Sequence, residues 1–250
     1  MSEWRPWVFA NKKAIIWDLD NTLYRITPEF GDILDSVMAR VCVEQLGVDL
    51  DFETAKAKVK ESFAQYRDGG EIFYRDYGVD VKEFYNAYHN NVPYEMIVPY
   101  EGLAERLRQL PLEQYVFTYS SHSLAEKILK HLGLYDIFKG RFYSVEDFNH
   151  TKKNESADVY LQLCDKIGAA PEDCIFVDDS YSNLIYPKEI GMTTVRLYYR
   201  ENSAKGKDYI DAAYNGINKF LDDFIPLVNH RKPTGEVSAL SGKLSFQTHN

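Results

Sequence analysis

Two short apolar runs in distant parts of this 250-residue chain each break off into aspartates. Lys13-Ala-Ile-Ile-Trp17 runs straight into Asp18-Leu19-Asp20-Asn21-Thr22, and Cys174-Ile-Phe-Val177 into Asp178-Asp179. An apolar run without alternation is the pattern of a strand buried on both faces, and burial on both faces belongs to parallel sheets covered by helices. Between and after these runs the pattern alternates. Gln114–Thr118, Arg141–Val145 and Thr193–Tyr199 read as further strands, and Leu103–Leu110, Val159–Ile167, Leu184–Ile190 and Ile217–Leu227 as helices. One more helix opens near Ser123, with Glu126 completing a capping box. Strand and helix in alternation predict an α/β fold, a doubly wound parallel sheet.

The stretch 25–97 departs from this rhythm. From residue 28 the apolar positions Phe30, Ile33, Leu34, Val37, Met38 and Val41 recur at helical spacing, and Gly47 supplies a stop. A second helix is expected over Phe52–Tyr66, a break at Gly69-Gly70, two more helices over Ile72–Tyr77 and Val81–His89, and a turn at Val92-Pro93. The expected organisation is therefore an α/β core from 1–24 and 98–228, an inserted all-helical cap over 25–97, and a polar tail over 229–250.

Composition limits the partners. With 45% hydrophobic and 27% charged residues the chain is that of a folded globular protein. Its net charge of -9 repels a nucleic acid polymer and an anionic membrane, so the expected partner is a small phosphorylated metabolite met by local positive charge. Cys42, Cys164 and Cys174 are odd in number and sit in apolar stretches, as reduced buried thiols do. Met1–Ala10 lacks the apolar run of a secretion signal, and no stretch is long enough to span a bilayer, so the location expected is cytoplasmic. Oligomeric state has no signal in the sequence.

In an open α/β sheet, ligands bind at the carboxyl ends of the strands. Those ends carry Asp18, Asp20, Thr118, Asp178 and Asp179. Carboxylates gathered at one edge raise one another's pKa and call for a cation. With oxygen donors and no His or Cys at ligand spacing, the ion is hard, Mg2+ by preference, and Asp18 and Asp179 are the candidate ligands. Asp18 and Asp20 stand two apart, so an extended segment points both to one side. A carboxylate at a metal stays ionised and can attack phosphorus, while one displaced from it can carry a proton to the leaving oxygen. An isolated Asp-x-Asp-Asn-Thr would read as a polar turn; the second acidic cluster at another strand end favours chemistry.

Trp17-Asp18-Leu19-Asp20-Asn21-Thr22-Leu23-Tyr24, Phe176-Val177-Asp178-Asp179-Ser180, Asn183-Leu184 and Lys188-Glu189-Ile190-Gly191-Met192 together resemble the haloacid dehalogenase-like superfamily of phosphohydrolases, over residues 13 to about 200. The resemblance implies an Asp18 aspartyl-phosphate and Asp20 as acid and then base. It implies Mg2+ held by Asp18, the main-chain carbonyl of Asp20 and Asp179, with Asp178 nearby, and phosphate bound by Thr118 and a lysine. The dehalogenases that name the superfamily lack the second aspartate and do not depend on the metal, so the resemblance with Asp20 present disfavours dehalogenation. Two positions depart from the usual pattern. Tyr119 stands where asparagine is usual, and the lysine motif reads Lys152-Lys153-Asn154-Glu155, which makes Lys153 the candidate and Lys152 its neighbour, at least one of the two being a solvated surface charge.

Ala64-Gln-Tyr66, Tyr74-Arg-Asp-Tyr-Gly78 and Tyr88-His-Asn-Asn-Val-Pro-Tyr94 are similar to the pyrimidine 5'-nucleotidase branch. Their aromatics could stack a base or simply pack the cap helices. The alternatives are a phosphoglycolate or sugar-phosphate phosphatase on the same core, and a catalytically silent binding protein, which would be expected to have lost a catalytic aspartate. His122, among Ser120, Ser121 and Ser123, is expected in a helix-start network without a catalytic role.

Overall fold

A computed structural model describes residues 6–66, 68–199 and 207–229. Six strands form one sheet: β1 (Ala14–Trp17), β2 (Glu113–Thr118), β3 (Phe142–Ser144), β4 (Cys174–Asp178), β5 (Thr193–Tyr198) and β6 (Ala212–Asn215). Every pairing is parallel and the order is β3-β2-β1-β4-β5-β6. The helices are α1 (Pro28–Glu44), α2 (Phe52–Tyr66), α3 (Glu71–Tyr77), α4 (Val81–Asn91), α5 (Leu103–Leu107), α6 (His122–His131), α7 (Tyr135–Phe138), α8 (Asp158–Ile167), α9 (Ile185–Glu189) and α10 (Gly216–Asn229).

The apolar runs are strands for the reason their sequence gives. Along β1, Ile15 and Trp17 face one core with Val116, Ile175, Val177 and Val195, while Ala14 and Ile16 face another with Phe117, Cys174 and Phe176. Helices α5, α6 and α10 cover the first face, and α8 the second. No strand side chain of β1 or β4 is left in water, which explains why neither run alternates.

All four helices α1–α4 fall between β1 and β2, as the helical spacing predicts, and they enclose a core of their own built from Met38, Ala39, Cys42, Val59, Phe73 and Phe84. Thr27 caps α1 by accepting the Phe30 N–H, and Pro28 opens its first turn. Gly47 takes the left-handed conformation (φ 69°) that turns the chain away after α1. Asp80 caps α4 through Lys82 and Glu83 N–H.

Several local expectations are corrected. The capping residue of α6 is Ser121, not Ser123: its hydroxyl accepts the Leu124 N–H, and Glu126 pairs with Lys130 instead. Three serines near this turn are locally equivalent, and Glu146, a distant residue that accepts the His122 N–H, fixes which one starts the helix. The helix expected over Leu103–Leu110 ends at Leu107, and the one over Leu184–Ile190 begins with a 3-10 turn at Tyr181–Leu184. The strand expected over Arg141–Val145 is only Phe142–Ser144, because Ser144 caps a 3-10 helix with Asp147. Helix α7 (Tyr-Asp-Ile-Phe), a single turn with no period to read, and strand β6 (Ala-Ala-Tyr-Asn), which carries no apolar run like that of β1, were not legible. The tail from 230 lies outside the described residues. The three cysteines are buried and free, and among the described residues no helix is long and apolar enough to cross a membrane.

The aromatic cluster under α10 tests this packing. Phe220 is fully buried and meets the rings of Phe9, Trp17, Tyr214 and Phe224. Phe220→Ala is expected to lower stability by about 3–5 kcal/mol, read as a lower urea midpoint with an unchanged slope.

Candidate active site

Parallel pairing in register brings the aspartates together. Trp17 lies opposite both Val116 and Val177, so the residues that follow β1, β2 and β4 emerge at one edge. The Asp18 N–H donates to the Val177 carbonyl (2.8 Å), continuing the ladder one residue past the strand and leaving Asp18 against Asp178. Oxygens of Asp18, Asp178 and Asp179 all lie within 4.8 Å of one another. The sheet order reverses direction around β1, with β2 on one side and β4 on the other, which makes this edge the crevice where doubly wound sheets bind ligands.

Asp20 is turned away from that group. Its Oδ1 accepts the Tyr24 hydroxyl (2.6 Å) and its Oδ2 accepts the hydroxyls of Thr118 and Ser120 (3.0 Å each). Between the two aspartates Leu19 points back into the core. Asn21 holds a left-handed backbone (φ 60°), a conformation asparagine tolerates better than most side chains. From there its amide donates to Asp179 Oδ2 (2.6 Å) and its carbonyl oxygen accepts the Ile26 N–H.

Lys153 enters the same cluster, fully buried, 2.5 Å from Asp18 Oδ1 and 3.1 Å from Asp178 Oδ2. Its ammonium also sits 5.3–5.6 Å from the ring centres of Phe117, Tyr119 and Phe176, positions at which ring faces add attraction for a cation. Tyrosine hydroxyls hold its main chain on both sides. Tyr119 accepts the Lys153 N–H (2.8 Å), and Tyr160 donates to the Lys153 carbonyl (3.0 Å) and to that of Asn183 (2.9 Å). Tyr119, the departure from the usual pattern, is thus part of the lysine's seat.

Three carboxylates share the vicinity of one ammonium, and the titration of Asp18 and Asp179 reflects it. Burial pushes Asp18 well above the usual carboxylate range, partly offset by Lys153 and reinforced by Asp178. Burial and then Asp178 raise Asp179 from 3.8 to about 7. Lys153 is held up despite burial by Asp178 and Asp18. The donor set fits a divalent cation: it is all oxygen, close-set and short of positive charge. Asp178 is the least available donor, since Ser180 N–H, the Asn183 amide and Lys153 already occupy both its oxygens. The Asp20 side chain is likewise taken by hydroxyls, which leaves its main-chain carbonyl as the donor the resemblance implies.

A cavity of ≈ 490 Å³ opens above this floor. Asp18, Asp20 and Asp179 line its base, and Phe63, Tyr66, Phe84 and Tyr88 of α2 and α4 line its walls. Thr118 is buried beneath, its hydroxyl donating to Asp20 and accepting the Ser120 N–H. Lys152 is no solvated charge, contrary to expectation. It reaches Asp68 and Glu71 at 3.0 Å each, with a third of its side chain exposed. Neither lysine of the pair is therefore free in water. His122 donates its N–H to Glu146 and meets Asp147 at 2.7 Å, in the helix-start network. Sequence reasoning missed Tyr24 and Ser120 as partners of Asp20; the four-residue step from Asp20 to Tyr24 was the one available signal.

The elevated Asp179 pKa carries a prediction. The unfolded carboxylate ionises near 3.8 and the folded one near 7, so without a cation stability falls as pH rises between them and stays reduced above. A cation bound to ionised Asp179 restores it, and protons compete below pH 7. The rise in melting temperature on adding Mg2+ is therefore expected to be larger at pH 8 than at pH 6 and to be lost in Asp179→Asn. An equal rise at both pH values would contradict the assignment.

Comparison with known proteins gives a consistent picture. The family model described as haloacid dehalogenase-like hydrolase matches residues 12–191. The fold is similar to L-2-haloacid dehalogenase from Xanthobacter autotrophicus with chloropropionic acid covalently bound: TM-score 0.56, 17% identity, 88% of this chain and 100% of that one. It is also similar to a putative β-phosphoglucomutase from Thermotoga maritima (0.57, 15%, 88% and 100%). A third likeness is a hydrolase of the same family from Deinococcus radiodurans R1 with bound phosphate and sodium (0.54, 17%, 87% and 98%). At these identities the structures attest the fold alone.

Proposed function

Because the chain belongs to the haloacid dehalogenase-like hydrolases, a family of enzymes that act on different leaving groups, we propose that it is a cytoplasmic phosphatase of small phosphate monoesters. The observation that carries this reading is the placement of Asp20. A halide leaves as a stable anion and needs no proton, whereas an alkoxide must be protonated as it departs. Asp20 lines the cavity floor beside Asp18, where its carboxyl can meet an oxygen leaving the phosphorus that Asp18 attacks; the hydroxyls of Tyr24, Thr118 and Ser120 hold it in that place.

In this mechanism Asp18 attacks phosphorus in line with the leaving oxygen, and Asp20 delivers a proton to that oxygen as the bond breaks. The product is an aspartyl-phosphate. Asp20, now ionised, takes a proton from a water molecule that attacks the phosphorus in turn, releasing phosphate and restoring Asp18. Lys153 counters the charge that spreads over the phosphoryl oxygens and orients the Asp18 carboxylate. Asp18 and Asp179 would hold a divalent cation, Mg2+ by donor type, which when bound supplies further charge compensation. Thr118 is the phosphate-binding hydroxyl that the resemblance implies, and its hydroxyl is held by Asp20 just beneath the cavity floor.

The leaving group proposed is a nucleoside, in a 5'-monophosphate of the pyrimidine class. Its support is the size of the cavity and its aromatic walls, which suit a flat ring above the phosphate site. Assays of phosphate release across nucleoside monophosphates, sugar phosphates, phosphoglycolate and p-nitrophenyl phosphate test the reading. A preference for sugar phosphates would remove the nucleotidase assignment, and release of halide from 2-haloacids without phosphatase activity would remove the larger one. Asp18→Asn is expected to cost about 10³-fold or more in kcat. Asp20→Asn is expected to lower kcat/KM about 10²–10⁴-fold with an alcohol leaving group and markedly less with p-nitrophenolate, which leaves without a proton, while kcat falls with both because hydrolysis of the aspartyl-phosphate loses its base.

A further inference from the structure

The two consecutive lysines leave one turn for different destinations. Residues 152–155 close on themselves, the Glu155 N–H donating to the Lys152 carbonyl (3.1 Å) and the Lys152 N–H to the Glu155 carboxylate (3.2 Å). Lys153 goes inward to Asp18, while Lys152 reaches across the side of the cavity to Asp68 and Glu71, at the junction of α2 and α3. Both Lys152 and Asp68 line the cavity wall.

The receiving carboxylates are themselves fixed. Asp68 accepts the Gly70 N–H (2.9 Å) on one oxygen and the Tyr85 hydroxyl (3.1 Å) on the other, and Glu71 holds Arg75 (2.7 Å) with the oxygen that Lys152 does not use. Asp68 and Glu71 side chains are only 13% and 17% exposed, so this is no ordinary surface pair of negligible worth. Lys152 and Arg75 together supply the positive charge for these two carboxylates. Losing Lys152 would leave Asp68 without its ammonium and Glu71 with Arg75 alone, both partly withdrawn from water, and would release the helices from the turn.

We propose that Lys152 is a positioning residue: its clasp on Asp68 and Glu71 holds α2–α4 over the aspartates and ties that closure to the seating of Lys153 on Asp18. Adjacent Cα atoms are about 3.8 Å apart, so the turn cannot shift to follow a departing cap without moving Lys153, whose main chain is held by Tyr119 and Tyr160. The catalytic half of this inference rests on the phosphomonoesterase reading; the clasp itself does not.

The test uses the full chain and p-nitrophenyl phosphate, with amide hydrogen exchange as a readout independent of activity. Lys152→Met is expected to speed exchange in α2–α4 and in the 151–157 turn and to lower kcat/KM about tenfold. Lys152→Arg is expected to keep both near wild type. Adding Glu71→Gln to Lys152→Met removes one of the two carboxylates left short of positive charge and is expected to recover part of each effect. Unchanged exchange in Lys152→Met would overturn the clasp, and faster exchange with unchanged kinetics would overturn the coupling to Lys153. Faster exchange in a protein that releases no phosphate even as wild type would overturn the reaction and leave the clasp standing.

Discussion

The concentration of negative charge at the carboxyl ends of β1 and β4 governs the rest of this structure. Asp18, Asp178 and Asp179 crowd within 4.8 Å, nearly removed from water, with one ammonium among them. Burial and the neighbouring charges make Asp18 and Asp179 hold protons more tightly than isolated carboxylates would. Almost every polar contact nearby can be read as a response. Asn183 and the Ser180 N–H satisfy Asp178, Asn21 restrains Asp179, and three hydroxyls draw Asp20 aside. The division between the carboxylates that crowd together and the one beside them held by hydroxyls follows from these local partners.

The two central strands make that concentration possible. Strands β1 and β4 are apolar on both faces until Asp178, so their first charged side chains are Asp178 at the end of β4 and Asp18 just past β1. Parallel register then sets them side by side. The same arrangement leaves the crevice open on the edge where α1–α4 are inserted, and the aromatic faces of those helices serve both their own core and the cavity wall. Phe84 belongs to both, so a reading of such rings as either packing or recognition divides what the fold unites.

Lys152 and Lys153 show what neighbouring residues of one type can conceal. In sequence Lys153 is the candidate for one task, and at least one of the pair is expected to be a solvated surface charge. In the folded chain the inner one has an aromatic seat and two carboxylates, and the outer one joins the sheet-borne turn to the helical insert. The resemblance pointed Lys153 to the aspartates, but neither its aromatic seat nor the destination of Lys152 could be read from the motif, because Phe117, Asp68 and Glu71 are far away in the chain. Similarly, three serines near one helix start are equivalent by local propensity, and a contact from Glu146 selects among them.

What the sequence determined by itself was whatever depends on periodicity and on residue type at strand ends. Apolar runs without alternation specified a sheet covered on both faces, helical spacing specified the insert, and aspartates after two such runs specified an acidic edge. Those signals are local, each spanning one element, and short elements such as α7 and β6 fell below them. The tertiary structure decided the partners: which hydroxyls hold Asp20, how Tyr119 seats Lys153, and where Lys152 reaches. Hydrogen bonds and ion pairs act over about 3 Å, and only packing brings residues from separate elements within that distance.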